Sequence, residues 1–148
     1  MDTRPEILAF FESYAVAFES LDAAIIAAHF AYPAHITSDA GTVTLMTVAD
    51  KAAWAASLTQ LLQMYRAVGV SKAHLVSITT TEISPRLVHA AVRWALADAS
   101  GQPLYEFDAL YTLAESEGTL RISTIAHNEV PQLRACFARV KARRAGTT

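Results

Sequence analysis

The chain has one cysteine in 148 residues, five glycines and five prolines. A lone Cys136 rules out an internal disulfide framework and any cysteine-rich metal site. So few prolines and glycines exclude a low-complexity or collagen-like chain. Charged residues make up 18% and balance to a net charge of −2, which argues against nucleic acid as the main partner. The basic cluster of Arg139, Lys141, Arg143 and Arg144 fits the C-terminal end of a helix, where cations complement the dipole. No run approaches the ~18 apolar residues of a membrane span. The opening MDTRPEILAFFESYAVAF has early acids and an amphipathic pattern instead of a basic segment and an uninterrupted apolar core, so no signal peptide is read. The expectation is one cytoplasmic domain over 1–148, without nucleic-acid or membrane partners.

What the chain does have is apolar residues, 53% of the total, arranged with two periods. Ile7, Leu8, Phe11, Tyr14, Ala15 and Phe18 recur at helical spacing, behind a Thr3/Glu6 capping-box pattern. A short second helix, with Ser20 as its cap, Asp22 in its first turn and Tyr32-Pro33 at its end, would bury Ile25, Ile26, His29 and Phe30. Brief strands over 35–38 and 42–46 surround the turn at Gly41. A third helix from Thr47, with Asp50 completing its cap, carries Trp54, Leu58, Leu61, Leu62 and Tyr65 and stops at Gly69. Four long strands are expected over 74–84, 87–97, 104–114 and 119–128, then a helix opened by Pro131 with Leu133, Cys136, Phe137 and Val140 on one face.

Strand alternation is clean. Val88, Ala90, Val92, Trp94 and Leu96 share one side, as do Tyr105, Phe107, Ala109, Tyr111 and Leu113. The opposite side, with Leu110, Ile125 and several alanines, is apolar enough to predict a homodimer through the sheet. Helices first and antiparallel strands after give an α+β class, with helices on one face of a bent sheet.

This order resembles the nuclear transport factor 2-like superfamily, a cystatin-like cone of bent sheet wrapped on helices. The resemblance spans Thr3 to about Glu129. It is carried by HFAYPAHITSDAGTV after the second helix, by WALADASGQPLYEF, and by TLRISTIAH, where Leu120 stands at a position often held by Trp. Within the superfamily the chain looks most like the SnoaL-like branch, which includes polyketide cyclases. Related branches contain ketosteroid isomerases, scytalone dehydratases and limonene epoxide hydrolases. The resemblance implies a largely apolar pocket for a small apolar or aromatic molecule, in which a few polar groups decide function.

In enzymes of this kind a pocket carboxylate or His moves a proton, and a Tyr or second acid steadies the oxyanion. The candidate acid–base residues are His29, His35 and Asp108. By alternation Asp108 shares a face with Glu106 and Leu110, so an inward aromatic face turns it outward unless a bulge reverses the strand. Tyr14, Tyr32, Tyr105 and Tyr111 are the candidate donors. Trp54, Trp94, Phe107, Tyr111 and His127 are the expected ligand-contacting residues with Tyr14 and Tyr32, and Trp54 and Phe107 are placed ahead of Tyr65 in the cavity wall. No HExxH, paired His or carboxylate cluster is present, so neither metal nor cofactor is expected. Three functions stay open: a small-molecule-binding domain, a cofactor-free isomerase, cyclase or dehydratase, and a dimeric interaction module. A cavity well below a few hundred Å³ would favour the last.

Overall fold

The computed structural model describes residues 3–146; residues 1–2 and 147–148 of the expected domain lie outside the described residues. The chain runs α1 (Pro5–Glu19), α2 (Ala23–Ala27), β1 (Phe30–Asp39), β2 (Val43–Val48), α3 (Lys51–Val68), β3 (Lys72–Ser84), β4 (Leu87–Ala97), β5 (Pro103–Ser116), β6 (Thr119–His127) and α4 (Glu129–Ala145). The six strands form one curved sheet in the order β2-β1-β6-β5-β4-β3. Its ladders are antiparallel except β1 with β6, which is parallel. α1 packs on β3, α4 on β5 and β1, and α2 on α3. This is the α+β cone expected from the sequence.

The alternation predicted for the long strands is observed. Val88, Ala90, Val92, Trp94 and Leu96 of β4, and Tyr105, Phe107, Ala109, Tyr111 and Leu113 of β5, are all buried. The residues between them in β5, Glu106, Asp108 and Leu110, are exposed. Ile125, expected on the outer face, is buried instead. A register shift between Thr112 and Leu113 in the β5–β6 ladder moves the inward parity of β6, so Ile122 and Ile125 both face the core.

Local signals decide the helix ends differently from the expected caps. The Thr3/Glu6 box does not form. Pro5 occupies the first turn of α1, Arg4 stands before it without a side-chain cap, and Glu6 pairs with Arg4 at 3.1 Å. Asp22 caps α2 by accepting from the Ala24 and Ile25 amides. That helix ends at Ala27, well before Pro33. Thr47 belongs to β2, and Asp50 alone caps α3 through the Ala53 amide at 2.8 Å. α4 begins two residues before Pro131, at Glu129.

Between Phe30, paired with Ile122, and His35, paired with Thr124, β1 carries more residues than β6. The surplus includes Pro33, which has no amide hydrogen to lend to a ladder. A bulge there is the cheap solution, and it carries Tyr32 back to α2, where its hydroxyl donates to the Ala27 carbonyl at 2.7 Å.

α3 ends in a Schellman motif. The Val70 amide donates to the Tyr65 carbonyl at 2.9 Å and the Gly69 amide to the Arg66 carbonyl at 3.2 Å. Gly69 has φ +86°, a left-handed conformation that glycine adopts freely. Among the described residues, no helix is long and apolar enough to cross a membrane.

Gly69→Ala tests the helix stop. A Cβ there would meet nothing nearer than Asp98 Cβ at 4.0 Å, so the cost is conformational only, about 1 kcal/mol. Chemical denaturation should show that loss with an unchanged m-value; a loss several times larger would mean that the turn also depends on close packing.

Candidate functional site

The concave side of the sheet and α1, α3 and the start of α4 enclose a cavity. It offers about 80 Å³ to the centre of a water-sized sphere, enough for several waters or one compact ligand. Six aromatic side chains line it: Tyr14, Phe18, Trp54, Tyr65, Trp94 and Tyr111. Ile36, Leu58, Leu96 and Ile125 fill the gaps between them.

The polar content of this wall is small and specific. Glu129 is 6% exposed, the one buried charged residue among those described. Its carboxylate Oε2 accepts hydrogen bonds from the Tyr65 hydroxyl and, at 2.8 Å, from the Tyr105 hydroxyl. Burial pushes the carboxyl up to about 7, against the downward pull of the two tyrosine hydrogen bonds. Burial also raises the Tyr65 and Tyr105 hydroxyls, with the nearby Glu129 charge adding to it. Both phenols therefore stay protonated and act as donors. Three elements converge here. Tyr65 extends the buried stripe of α3, Tyr105 lies on the inward face of β5, and Glu129 opens α4.

His127 sits beside this group. The Glu129 amide donates to its Nδ1 at 3.2 Å, so the ring is a neutral imidazole with its proton on Nε2. Burial lowers its pKa and keeps it in that form. Asn128 fixes the strand-to-helix corner. Its Oδ1 accepts from the Asp108 amide at 2.8 Å, and its amide donates to the Asp108 carbonyl at 3.2 Å.

Two further polar groups lie in the wall. The Trp94 indole N–H donates to the Tyr111 hydroxyl at 2.8 Å. The Trp54 indole Nε1, buried in the cavity wall, has no hydrogen-bond partner. An unmet buried donor costs on the order of 1–3 kcal/mol.

The sequence candidates divide accordingly. Tyr14, Trp54, Trp94, Tyr111 and His127 line the cavity. His29, His35 and Asp108, the expected acid–base residues, do not. His29 lies past the end of α2, with Nδ1 on the Ile25 carbonyl at 2.9 Å and Nε2 at 2.9 Å from Ser13 Oγ. The carbonyl requires the proton on Nδ1, so both ring nitrogens are already engaged. His35 alternates with buried Ala34 and Ile36, which turns it outward onto Thr47 Oγ1 at 3.2 Å. Asp108 follows simple alternation, without an intervening bulge, and pairs with Arg93 at 2.9 Å on the outer face. Arg93 also binds Glu106 at 2.8 Å. Tyr32 is held on α2 by the β1 bulge, its hydroxyl raised to about 12 by burial and the nearby Asp50. Phe107 is buried but stacks near Tyr105 outside the cavity wall, while Tyr65, placed behind it from the sequence, is in the wall.

Glu129 itself was missed. Its inward place depends on the register shift in the β5–β6 ladder, because the unshifted alternation that put Ile125 on the outer face would carry His127 and Glu129 outward with it.

A bent sheet with helices on its concave side and an apolar cavity between them defines a cone-shaped α+β domain of the cystatin-like type. A family model for NTF2-like protein (DUF6841) matches residues 5–130, and the chain belongs to that family. Among solved structures, Aln2 from a Streptomyces species is similar with a TM-score of 0.68 and 20% identity, over 86% of this chain and 94% of that one. An NTF2-like protein with a cystatin-like fold from Novosphingobium aromaticivorans is similar with a TM-score of 0.65 and 17% identity, over 88% and 86%. A protein of unknown function with a cystatin-like fold from Nostoc punctiforme gives 0.66 and 7%, over 86% and 94%. At these identities the likeness is one of fold. No curated protein matches the chain by sequence.

The raised carboxyl has a stability consequence. Glu129 is ordinarily near 4.5 and rises to about 7 when folded, so between those values the native state binds more protons than the unfolded one. Its contribution to stability is therefore fully present below about pH 4.5 and is lost as pH rises toward 7. Relative to the wild type, Glu129→Gln should gain about 3 kcal/mol between pH 4 and pH 8. Urea denaturation of both proteins at the two pH values checks this; a constant difference would place the carboxyl in ordinary solvent.

Proposed function

We propose that this domain binds a compact, mainly apolar small molecule in its cavity, with Glu129 as the polar anchor. The observation that carries the reading is a buried carboxyl kept in a largely apolar wall, together with an indole N–H in the same wall that no protein group satisfies. Burying both costs stability, and a bound molecule with matching groups would recover it. At about 80 Å³ the cavity is well below the few hundred Å³ under which size alone favours the dimeric interaction module. The buried carboxyl and the unmet indole N–H are what favour a ligand, one closer to a single ring or a short branched chain than to a polyketide. The likeness to the SnoaL-like branch noted in the sequence is compatible with this and supplies no ligand.

The protein's two tryptophans both line the cavity, so their emission reports on it directly. A panel of single-ring and branched-chain compounds should include members that change this emission saturably. Ala109→Phe, which fills the wall at a buried alanine, should remove the response while the fold persists by circular dichroism. A response that survives the substitution would locate binding elsewhere.

A second reading, a cofactor-free proton-transfer enzyme of the isomerase, cyclase or dehydratase type, draws on Glu129 alone. A carboxyl near 7 can both take and return a proton at neutral pH, with tyrosine hydroxyls as neighbouring donors. Solvent deuterium exchange into an enolisable ketone such as cyclohexanone, followed by NMR, tests it. Exchange should exceed the buffer rate and fall to that rate in Glu129→Gln; exchange at the buffer rate in the unmodified protein removes the enzyme reading.

A further inference from the structure

The cavity wall has a charge pattern as well as a shape. Two carboxylates line it, Glu129 inside and half-buried Glu19 near the rim, where Glu19 accepts from the Ala73 amide at 2.9 Å. No lysine or arginine lines it. Of the cations on α3 and α4, Lys51, Arg134, Lys141 and Arg143 are also absent from the wall, and Arg66, Arg139 and Arg144 are turned onto the carbonyls of Leu21, Leu104 and Ala67. The one other basic group in the wall, His127, is neutral. An anionic ligand would meet repulsion here with nothing to offset it.

Five of the six aromatic residues of the wall pack ring against ring. Ring centroids of Phe18 and Tyr14 are 5.0 Å apart, those of Tyr14 and Tyr111 5.8 Å, those of Tyr14 and Trp94 6.4 Å, and those of Phe18 and Tyr65 5.9 Å. Aromatic faces are negative, and rings gathered around a small space attract an organic cation when water is excluded. Trp54 adds an unpartnered N–H donor to the same wall, which calls for an oxygen on the ligand.

We infer that the cavity is selective for a compact organic ammonium ion carrying an oxygen, held by the aromatic wall and Glu129 with its oxygen on the Trp54 N–H. This rests on the binding reading above and narrows it to one chemical class. It also accounts for the undersized space, since a trimethylammonium group is small and nearly spherical. Glu129 faces Tyr65 from α3, Tyr105 and Tyr111 from β5, Tyr14 from α1 and His127 at the end of β6. None of these carries positive charge at neutral pH, so an incoming cation faces no competitor for the carboxylate.

The test is a matched pair of probes titrated against tryptophan emission. They are choline and its uncharged isostere 3,3-dimethylbutan-1-ol, which share shape and hydroxyl. Choline should bind about ten-fold more tightly. Its affinity should rise about ten-fold between pH 6 and pH 8 as Glu129 ionises, while that of the isostere stays flat. In Glu129→Gln the two probes should become nearly equal; should that variant not fold, the pH series on the unmodified protein decides the matter. Equal or tighter binding of the isostere, or a choline affinity independent of pH, overturns the ammonium inference and leaves the binding reading standing. If neither probe binds and the broader compound panel is also silent, both fall.

Discussion

The hydrogen bonds from Tyr65 and Tyr105 to Glu129 are the constraint around which the cone is organised. A carboxyl buried to this depth needs partners, and its two partners come from different layers of the fold. Tyr65 reaches it from a helix, Tyr105 from the middle of the sheet, and the carboxylate sits at the first turn of α4. Satisfying one side chain therefore fixes the docking of α3, the inward face of β5 and the angle at which α4 leaves the sheet. The Schellman motif at Gly69 serves the same end, because it ends α3 on the turn that carries Tyr65.

Much of the architecture was legible in the sequence because it depends on local period. The strands β4 and β5 alternate without interruption, and the inward sets read from the sequence are the buried sets observed. The faces of α1, α3 and α4 followed the same logic, while Ile25 of α2, expected inside, is 48% exposed. Where several capping residues competed, as with Thr3, Ser20 and Thr47, spacing alone could not choose among them. The outcome turned on Pro5, on the geometry of Asp22 and on Thr47 being taken by β2.

The site was less legible, for a physical reason. Candidate acids and bases were sought among residues flanked by apolar ones, yet in a strand such neighbours lie on the opposite face. Alternation already turned Asp108 outward, and with no bulge to reverse it the side chain ends outside with Arg93. His35 shares its fate. Tyr32 was lost to a bulge that only the pairing of β1 with β6 reveals. Glu129 escaped notice because only the register shift between Thr112 and Leu113 turns Ile125, His127 and Glu129 to the inside. Burial by the tertiary structure, rather than sequence neighbourhood, made that carboxyl unusual.

The parallel ladder between β1 and β6 pairs Phe30 with Ile122, two positions separated by most of the chain. A growing polypeptide can form α1, α2 and the β1–β2 hairpin early, and the β3–β5 meander by itself. Neither part encloses anything until β6 arrives between them. The last strand thus acts as a keystone, and the cavity comes into being only when almost the whole chain has been made. Contacts of such long span close slowly compared with hairpins.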